Sequence, residues 1–192
     1  MPDTIRTFIA IELPENIISA IRNVQEGLRS YRFKVRWVRP ENIHLTLKFL
    51  GNINISRINL IGRTISGSVK DYAPLALSVR GAGVFPGIKR PRVIWTGISG
   101  QVPELIALQQ TLDENLETVG FPREKRAFKG HLTLGRAKGI IDPKKLNDAL
   151  KKFNDFETEP FVIDRVFLFK SDLQPTGSIY TKLMSTALTA SV

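Results

Sequence analysis

The tetrapeptide His44-Leu45-Thr46-Leu47 (the first motif) recurs unchanged as His131-Leu132-Thr133-Leu134 (the second motif), and these copies hold both histidines of the 192-residue chain. The surrounding residues are β-prone, so we predict strands over Ile43 to Leu50 and over His131 to Arg136. Side chains alternate between the two faces of a strand, so the His and Thr of each motif share one face and the leucines share the other. Residues two apart on a strand lie about 6.6 Å apart, which lets an imidazole and a hydroxyl contact one phosphate-sized anion.

Two opposed His-x-Thr motifs supply the groups that opening a cyclic phosphodiester requires. If the halves of the chain pack with approximate two-fold symmetry, the polar faces meet across a cleft. A base must deprotonate the attacking water, and an acid must protonate the departing ribose oxygen on the other side of the phosphorus. Imidazole ordinarily titrates at about pH 6.5, so one histidine can be neutral while the other is protonated. The alternative, that each His and Thr is an ordinary half-buried strand residue, suits a single motif better than a repeated one.

Arg136 follows the second motif closely, and its guanidinium is suited to bind a phosphate through two hydrogen bonds. On a regular strand, however, a residue five positions after His131 points to the opposite face. The phosphate-binding role therefore requires the strand to end or bulge at Gly135; otherwise Arg136 is a surface cation. Lys48, directly after the first motif, is expected to share the face of His44 and Thr46, although a solvated strand lysine is the commoner case.

Aromatic side chains offer a surface on which an RNA base can stack, a contact worth about 1–3 kcal/mol. Core packing is the expected role for most of them. We assign base stacking to Phe8, because the strand predicted over Thr4 to Leu13 is expected to adjoin the histidine strands.

The composition favours a polyanionic partner and excludes cysteine chemistry. There are 28 Lys and Arg against 18 Asp and Glu, a net charge of +10, which favours nucleic acid, although a solvated lysine-rich surface is the alternative. No cysteine is present, so disulfides, thiolate nucleophiles and Cys-bound zinc are excluded. A catalytic zinc usually takes three protein ligands, and neither motif has a carboxylate beside its histidine. We therefore predict no metal and no cofactor.

The order of elements along the chain predicts an α+β fold in which helices cover mostly antiparallel sheets. Helices are predicted over 15–30, 56–70, 102–119 and 142–153. In addition to the strands given above, strands are predicted over 34–39, 75–84, 92–98, 161–169 and 178–188. The N-terminus does not have the pattern of a signal peptide, and no apolar run is long enough to span a membrane. We predict a cytoplasmic protein.

Long segments around both motifs resemble the RNA 2′,3′-cyclic phosphodiesterases, also called 2′-5′ RNA ligases, of the two-histidine phosphoesterases. The first signature runs from Arg36 to Gly51 and the second from Phe128 to Arg136. Segments 6–11 and 167–173 are also similar to the family, so the resemblance spans nearly the whole chain.

This resemblance implies His44 as general acid on the leaving ribose oxygen and His131 as general base on water, with Thr46, Thr133 and Arg136 as phosphate ligands. It implies a bilobal, pseudo-symmetric α+β fold with a central active-site cleft, in which residues 1–192 form a single compact domain of two intimate lobes. The substrate would be RNA with 2′,3′-cyclic phosphate ends, the product a 2′-phosphate, and the reverse activity a 2′-5′ ligation.

A second function remains open on the sequence alone. A non-catalytic RNA-binding module explains the positive charge, but it gives no reason for the paired histidines. A catalytic assay separates the two hypotheses. For the oligomeric state we predict a monomer.

Overall fold

The computed structural model describes residues 3–175 and 177–190, which form nine strands and four α-helices. The strands are β1 (Thr4–Ile11), β2 (Val35–Trp37), β3 (Leu45–Asn54), β4 (Leu75–Phe85), β5 (Val93–Gly100), β6 (His131–Ala137), β7 (Phe161–Ile163), β8 (Arg165–Gln174) and β9 (Gly177–Ala187). The helices are α1 (Glu15–Arg29), α2 (Ile58–Val69), α3 (Val102–Thr118) and α4 (Pro143–Lys151). The predicted α+β fold class is confirmed.

The strands form one antiparallel sheet in the order β7-β4-β5-β6-β3-β1-β8-β9, and β2 pairs with the end of β6. The pairing between β3 and β6 consists of Leu45 with Leu132. Of the eight strands in this order, which leaves out β2, four lie on each side of this pairing. Strands from both ends of the chain lie on the β3 side, and β4 to β7 lie on the β6 side. This pairing thus joins the two groups of strands into a single sheet between the two motifs.

The strand predicted over 161–169 is wrong, because two separate strands occupy this segment. β7 pairs with β4 at one end of the sheet, whereas β8 pairs with β1 near the other end. Asp164 alone separates them, and two residue steps span about 7 Å at most. The ends of the sheet must therefore approach each other, so the sheet is strongly curled. Local sequence pattern does not reveal a change of partner strand.

The helices pack against one face of this sheet, which we call the helix face. The buried stripe of α1 continues into a cluster that includes the leucines of both motifs, each at most 3% exposed. The opposite surface, which we call the open face, has a smaller apolar cluster of Phe8, Ala10 and Phe169. This division follows from strand alternation, which sends the leucines to the helix face and leaves His and Thr on the open face.

The connection from β3 to α2 also differs from expectation. β3 continues past Gly51, which adopts a φ of +73° that glycine tolerates, and it ends at Asn54. The side chain of Asn54 accepts a hydrogen bond from the Ser56 amide at 2.9 Å and starts a short 3₁₀ helix before α2. No helix within the described ranges is long and apolar enough to cross a membrane.

Candidate active site

The two motifs meet where β3 and β6 pair, and their register is symmetric. Leu45 pairs with Leu132 in antiparallel orientation. Extending this register by one residue in each direction sets His44 opposite Thr133 and Thr46 opposite His131. Directly opposed residues on antiparallel strands have Cβ atoms about 5 Å apart. In this register an approximate two-fold axis through the leucine pair relates the four polar side chains on the open face, which we call the quartet: His44, Thr46, His131 and Thr133.

Both histidines are held by the same local hydrogen bond. The Nδ1 of His44 lies 2.8 Å from the carbonyl oxygen of Asn42, and the Nδ1 of His131 lies 2.7 Å from that of Lys129. A carbonyl oxygen can only accept, so Nδ1 carries the proton in each ring. The Nε2 atoms remain available to exchange protons, either as neutral bases or as protonated acids.

The surroundings of the two imidazoles differ. The ring of His44 stacks on Phe8 at a centroid distance of 4.7 Å and contacts the edge of Tyr180 at 5.2 Å. The ring of His131 contacts only Phe85 among aromatic rings in the described part of the chain, at 5.0 Å. Burial lowers the pKa of His44, and the hydrogen bond to the Asn42 carbonyl opposes this effect in part. His44 is therefore biased toward its neutral form in the free protein.

A β-bulge in β6 determines the direction of Arg136. Thr133 pairs with Trp95 and Gly135 pairs with Ile94, so Leu134 is an extra residue in this strand. Leu134 and Gly135 are consecutive and both buried, which is the pattern that a bulge produces. Alternation resumes after it, so Arg136 is exposed on the same face as the second motif's His and Thr. The structure thus contains the bulge that a phosphate contact by Arg136 requires; the contact itself remains a prediction.

Gln25 on α1 holds this bulge, and we did not predict its role from the sequence. Its side chain is 1% exposed and its Nε2 donates to the carbonyl oxygens of Val38 and Leu134, each at 2.8 Å. The Val38 amide also donates to the Leu134 carbonyl, at 2.9 Å. One feature of the sequence could have indicated the role of Gln25. It is a polar residue on the apolar stripe of α1, four positions after Ile21 and three before Leu28.

The Gln25→Leu variant is expected to keep its fold and to lose most of the activity that the resemblance implies. The substitution removes the amide that anchors Leu134, so Arg136 is no longer held in position. Misplacement of a substrate-binding group by about 1 Å can cost up to about 100-fold, so with Arg136 in its predicted phosphate-binding role we expect a loss of 10-fold or more in kcat/KM. Steady-state kinetics with a 2′,3′-cyclic nucleotide, with circular dichroism for the fold, provide the measurement.

Gln109→Leu is the matched control for that variant. Gln109 is also buried, on α3, and its Nε2 donates to the carbonyl oxygen of Leu47 at 3.4 Å. Leu47 is the bulge residue of β3, where no cation follows on the open face. We expect the control to retain most of the activity; equal losses in the two variants would argue against a special role for Gln25.

The bulge in β3 turns Lys48 away from His44. Ile9 pairs with Lys48 and Ala10 with Thr46, which makes Leu47 the extra residue. Lys48 is 3% exposed, forms an ion pair with Asp113 of α3 and donates to the carbonyl oxygen of Pro122 at 2.7 Å. The expectation that Lys48 shares the face of the first motif's histidine is therefore wrong, because the strand is not regular.

Phe49 lies two residues after the first motif, as Arg136 lies two residues after the second. Both follow a bulge, and Phe49 is 57% exposed on the open face. We did not select this residue from the sequence, since a regular strand would have placed it in the core. The site is thus symmetric in its His and Thr residues but carries an apolar side chain on one side and a cation on the other.

The base-stacking role assigned to Phe8 does not fit the structure. Its side chain is 3% exposed and lies within 6.1 Å of four rings. These are the rings of His44, Phe49, Phe169 and Tyr180. A nucleobase has no access to it, so Phe8 instead supports the imidazole of His44 and contributes to its burial.

A cavity of about 340 Å³ lies between α3 and residues 123–128 and is lined by neither histidine. Within residues 3–175 and 177–190, no cluster of three His, Asp or Glu residues has the geometry to hold a metal ion.

The family of the chain follows from a comparison with family models. The model of the LigT-like phosphoesterases matches twice, over residues 11–95 and 97–180, and each match contains one His-x-Thr motif. The chain belongs to the LigT-like phosphoesterase family. Its duplicated architecture accounts for the two-fold relation between the motifs.

Relatives of this LigT-like phosphoesterase support the assignment over more than nine-tenths of the chain. The RNA 2′,3′-cyclic phosphodiesterase of Methanothermobacter thermautotrophicus is 35% identical over 93% of this chain and 96% of its own length. That of Thermotoga maritima is 34% identical over 93% and 92%, respectively. Among solved structures, a protein of Thermus thermophilus superposes with a TM-score of 0.80 at 26% identity, covering 96% of this chain and 98% of that one.

Proposed function

We propose that this LigT-like phosphoesterase hydrolyses the 2′,3′-cyclic phosphate ends of RNA to 2′-phosphates, with His44 and His131 as its acid–base pair. The observation that carries this proposal is the pairing of Leu45 with Leu132, which brings the two motifs together. Its register, extended by one residue, sets each imidazole, anchored through Nδ1, opposite the other motif's threonine. Relatives named RNA 2′,3′-cyclic phosphodiesterase are similar over more than nine-tenths of the chain. The net charge of +10 suits an RNA substrate.

In the proposed reaction, Nε2 of neutral His131 takes a proton from water, and the hydroxide attacks phosphorus. The P–O3′ bond breaks on the opposite side, and Nε2–H of protonated His44 transfers its proton to O3′. The products are a 2′-phosphate monoester and a free 3′-hydroxyl. Each histidine ends in the protonation state opposite to its initial one, and exchange with water restores both.

The remaining members of the site bind the phosphate in this proposal. The hydroxyls of Thr46 and Thr133 donate to its non-bridging oxygens, and Arg136 adds charge-assisted hydrogen bonds. These donors stabilise the charge that develops on the phosphate oxygens, which is usually the largest contribution to catalysis.

A bound phosphate also explains how His44 can be protonated, as its role as the acid requires. Burial lowers the pKa of this imidazole in the free protein. A neighbouring anion favours the charged form and raises the pKa. His44 therefore acquires its acidic proton when the substrate binds, which suits its assigned role.

The same arrangement supports a reverse activity. If a 5′-hydroxyl of a second RNA end takes the place of water, its attack on the cyclic phosphate expels O3′ and leaves a 2′-5′ phosphodiester. The proton transfers are those of the hydrolysis, so we propose a 2′-5′ RNA ligase activity at the same site.

A nucleoside 2′,3′-cyclic phosphate tests the reaction class and the metal requirement together. We expect conversion to the 2′-phosphate isomer, identified by chromatography, at a rate that exhaustive EDTA treatment leaves unchanged, because only side-chain protons are transferred. Activity lost under EDTA and restored by zinc or manganese would favour a metal-dependent hydrolase. No conversion, together with salt-sensitive RNA binding, would favour the alternative of a non-catalytic RNA-binding module. The monomeric state, the cytoplasmic location and the single domain of two lobes remain predictions.

A further inference from the structure

Two arginines face each other at the end of the second motif. β2 pairs with β6 so that Arg36 lies opposite Arg136 and Trp37 lies opposite Gly135. A Cβ atom added to Gly135 would lie 2.5 Å from Val35 Cγ1 and 3.0 Å from Trp37 Cε3. The side chains of Val35 and Trp37 therefore lie on the helix face beside Gly135. Arg36, between them in sequence, points to the open face like Arg136.

The structure shows no anionic partner for this pair of cations among the described residues. Both side chains are exposed, and neither forms an ion pair or a hydrogen bond with a residue in the described ranges. Like charges directly opposite each other on paired strands destabilise a sheet. A bound anion would relieve this repulsion, so the geometry suits a ligand with negative charge on this side of the site.

The charge of the substrate indicates which anion Arg36 binds. A cyclic phosphodiester carries a single negative charge, which Arg136 alone can neutralise. On the open face, His131, Thr133 and Arg136 follow one another along β6, and Arg36 lies beside the last of them, at the end away from His131. In RNA, the phosphate nearest to the cyclic one is the phosphodiester on the 5′ side of the terminal nucleotide.

We infer that Arg36 binds this 5′ phosphodiester, which makes the site selective for the end of an oligoribonucleotide over a mononucleotide. This role rests on the proposed function, since it assigns the terminal cyclic phosphate to the histidine quartet.

The test compares two substrates in the Arg36→Gln variant: cytidine 2′,3′-cyclic phosphate and a trinucleotide that ends in the same group. The wild-type protein should prefer the trinucleotide in kcat/KM. Hydrogen bonds to charged groups are worth enough to change affinity by about tenfold or more. We therefore expect this preference to fall about tenfold in the variant, through KM for the trinucleotide. Arg63→Gln on α2 removes the same charge from an exposed position and should leave the preference as in wild type.

Salt dependence provides a second readout that a purely structural role would not change. For single strands, each phosphate contact contributes about 0.7 to the slope of log K against log salt concentration. The slope for binding of a trinucleotide 2′-phosphate, measured by calorimetry, should be about 0.7 shallower in Arg36→Gln and unchanged in Arg63→Gln. Equal losses on both substrates, or equal effects of the two variants, would overturn the assignment.

The binding measurement also separates this inference from the proposed function. If the wild-type protein hydrolyses neither substrate, the proposed function fails. Selective weakening of trinucleotide binding in Arg36→Gln would still support a phosphodiester contact at Arg36.

Discussion

Replacing either His44 or His131 with Ala is expected to lower kcat/KM for a 2′,3′-cyclic phosphate by about 10²–10⁴, the usual contribution of a positioned acid or base. Each substitution removes one of the two proton transfers of the proposed reaction. Both imidazoles lie on the open face, and the structure shows no hydrogen bond between either Nε2 and another described residue, so neither variant should unfold the protein. Steady-state kinetics and thermal denaturation of the two variants give the measurement. Full activity in both would show that the repeated motif is not catalytic.

The double variant should lose less than the product of the two single losses, because residues that act as a unit are not additive. A phosphodiester with a nitrophenyl leaving group separates the two roles. Its departing oxygen needs little protonation, so the defect of His44→Ala should shrink while that of His131→Ala persists. If the defect of His131→Ala shrinks instead, the acid and the base are exchanged.

The pH dependence of kcat/KM should be bell-shaped. One histidine must be protonated while the other is neutral, so the maximum lies midway between the two macroscopic pKa values of the pair. Burial lowers the pKa of His44, which moves the midpoint down whichever histidine is the acid. A profile with a single limb would contradict this account.

Arg136→Ala is expected to have the second largest effect, a loss of about 10²–10³ in kcat, comparable to that of removing an oxyanion-hole donor. The guanidinium should stabilise charge on the phosphate as the P–O bond breaks. Arg136→Lys should recover only part of the activity, because an ammonium does not make two parallel hydrogen bonds. Kinetics with a 2′,3′-cyclic nucleotide measure both variants.

Thr46→Ala and Thr133→Ala are the comparison for the arginine variants. Each removes a neutral donor, and charge-assisted hydrogen bonds are roughly twice as strong as neutral ones. We therefore expect a smaller loss in each of them than in Arg136→Ala, with Arg63→Ala as a control for net charge. Wild-type kinetics in Arg136→Ala would mean that the bulge does not bring this side chain to the phosphate.

The sequence alone was sufficient to predict the strands of both motifs, the burial of their leucines and the common face of each His and Thr. The α+β fold class was also predicted correctly from the order of elements. These features depend on the two-residue period of a strand and on local propensity, which neighbouring residues specify. The exact repetition of His44 to Leu47 at 131–134 added the inference of a shared site, because it involved both histidines.

The tertiary structure alone decided which side chains share the site beyond those four. Bulges at Leu47 and Leu134 reverse the alternation after each motif, sending Lys48 to the helix face and Arg136 to the open face. The change of partner strand at Asp164 and the burial of Phe8 likewise depend on strands far apart in the chain. A bulge exists only relative to a partner strand and to the buried amide of Gln25, which holds one of its carbonyls, so no local pattern in the sequence determines it.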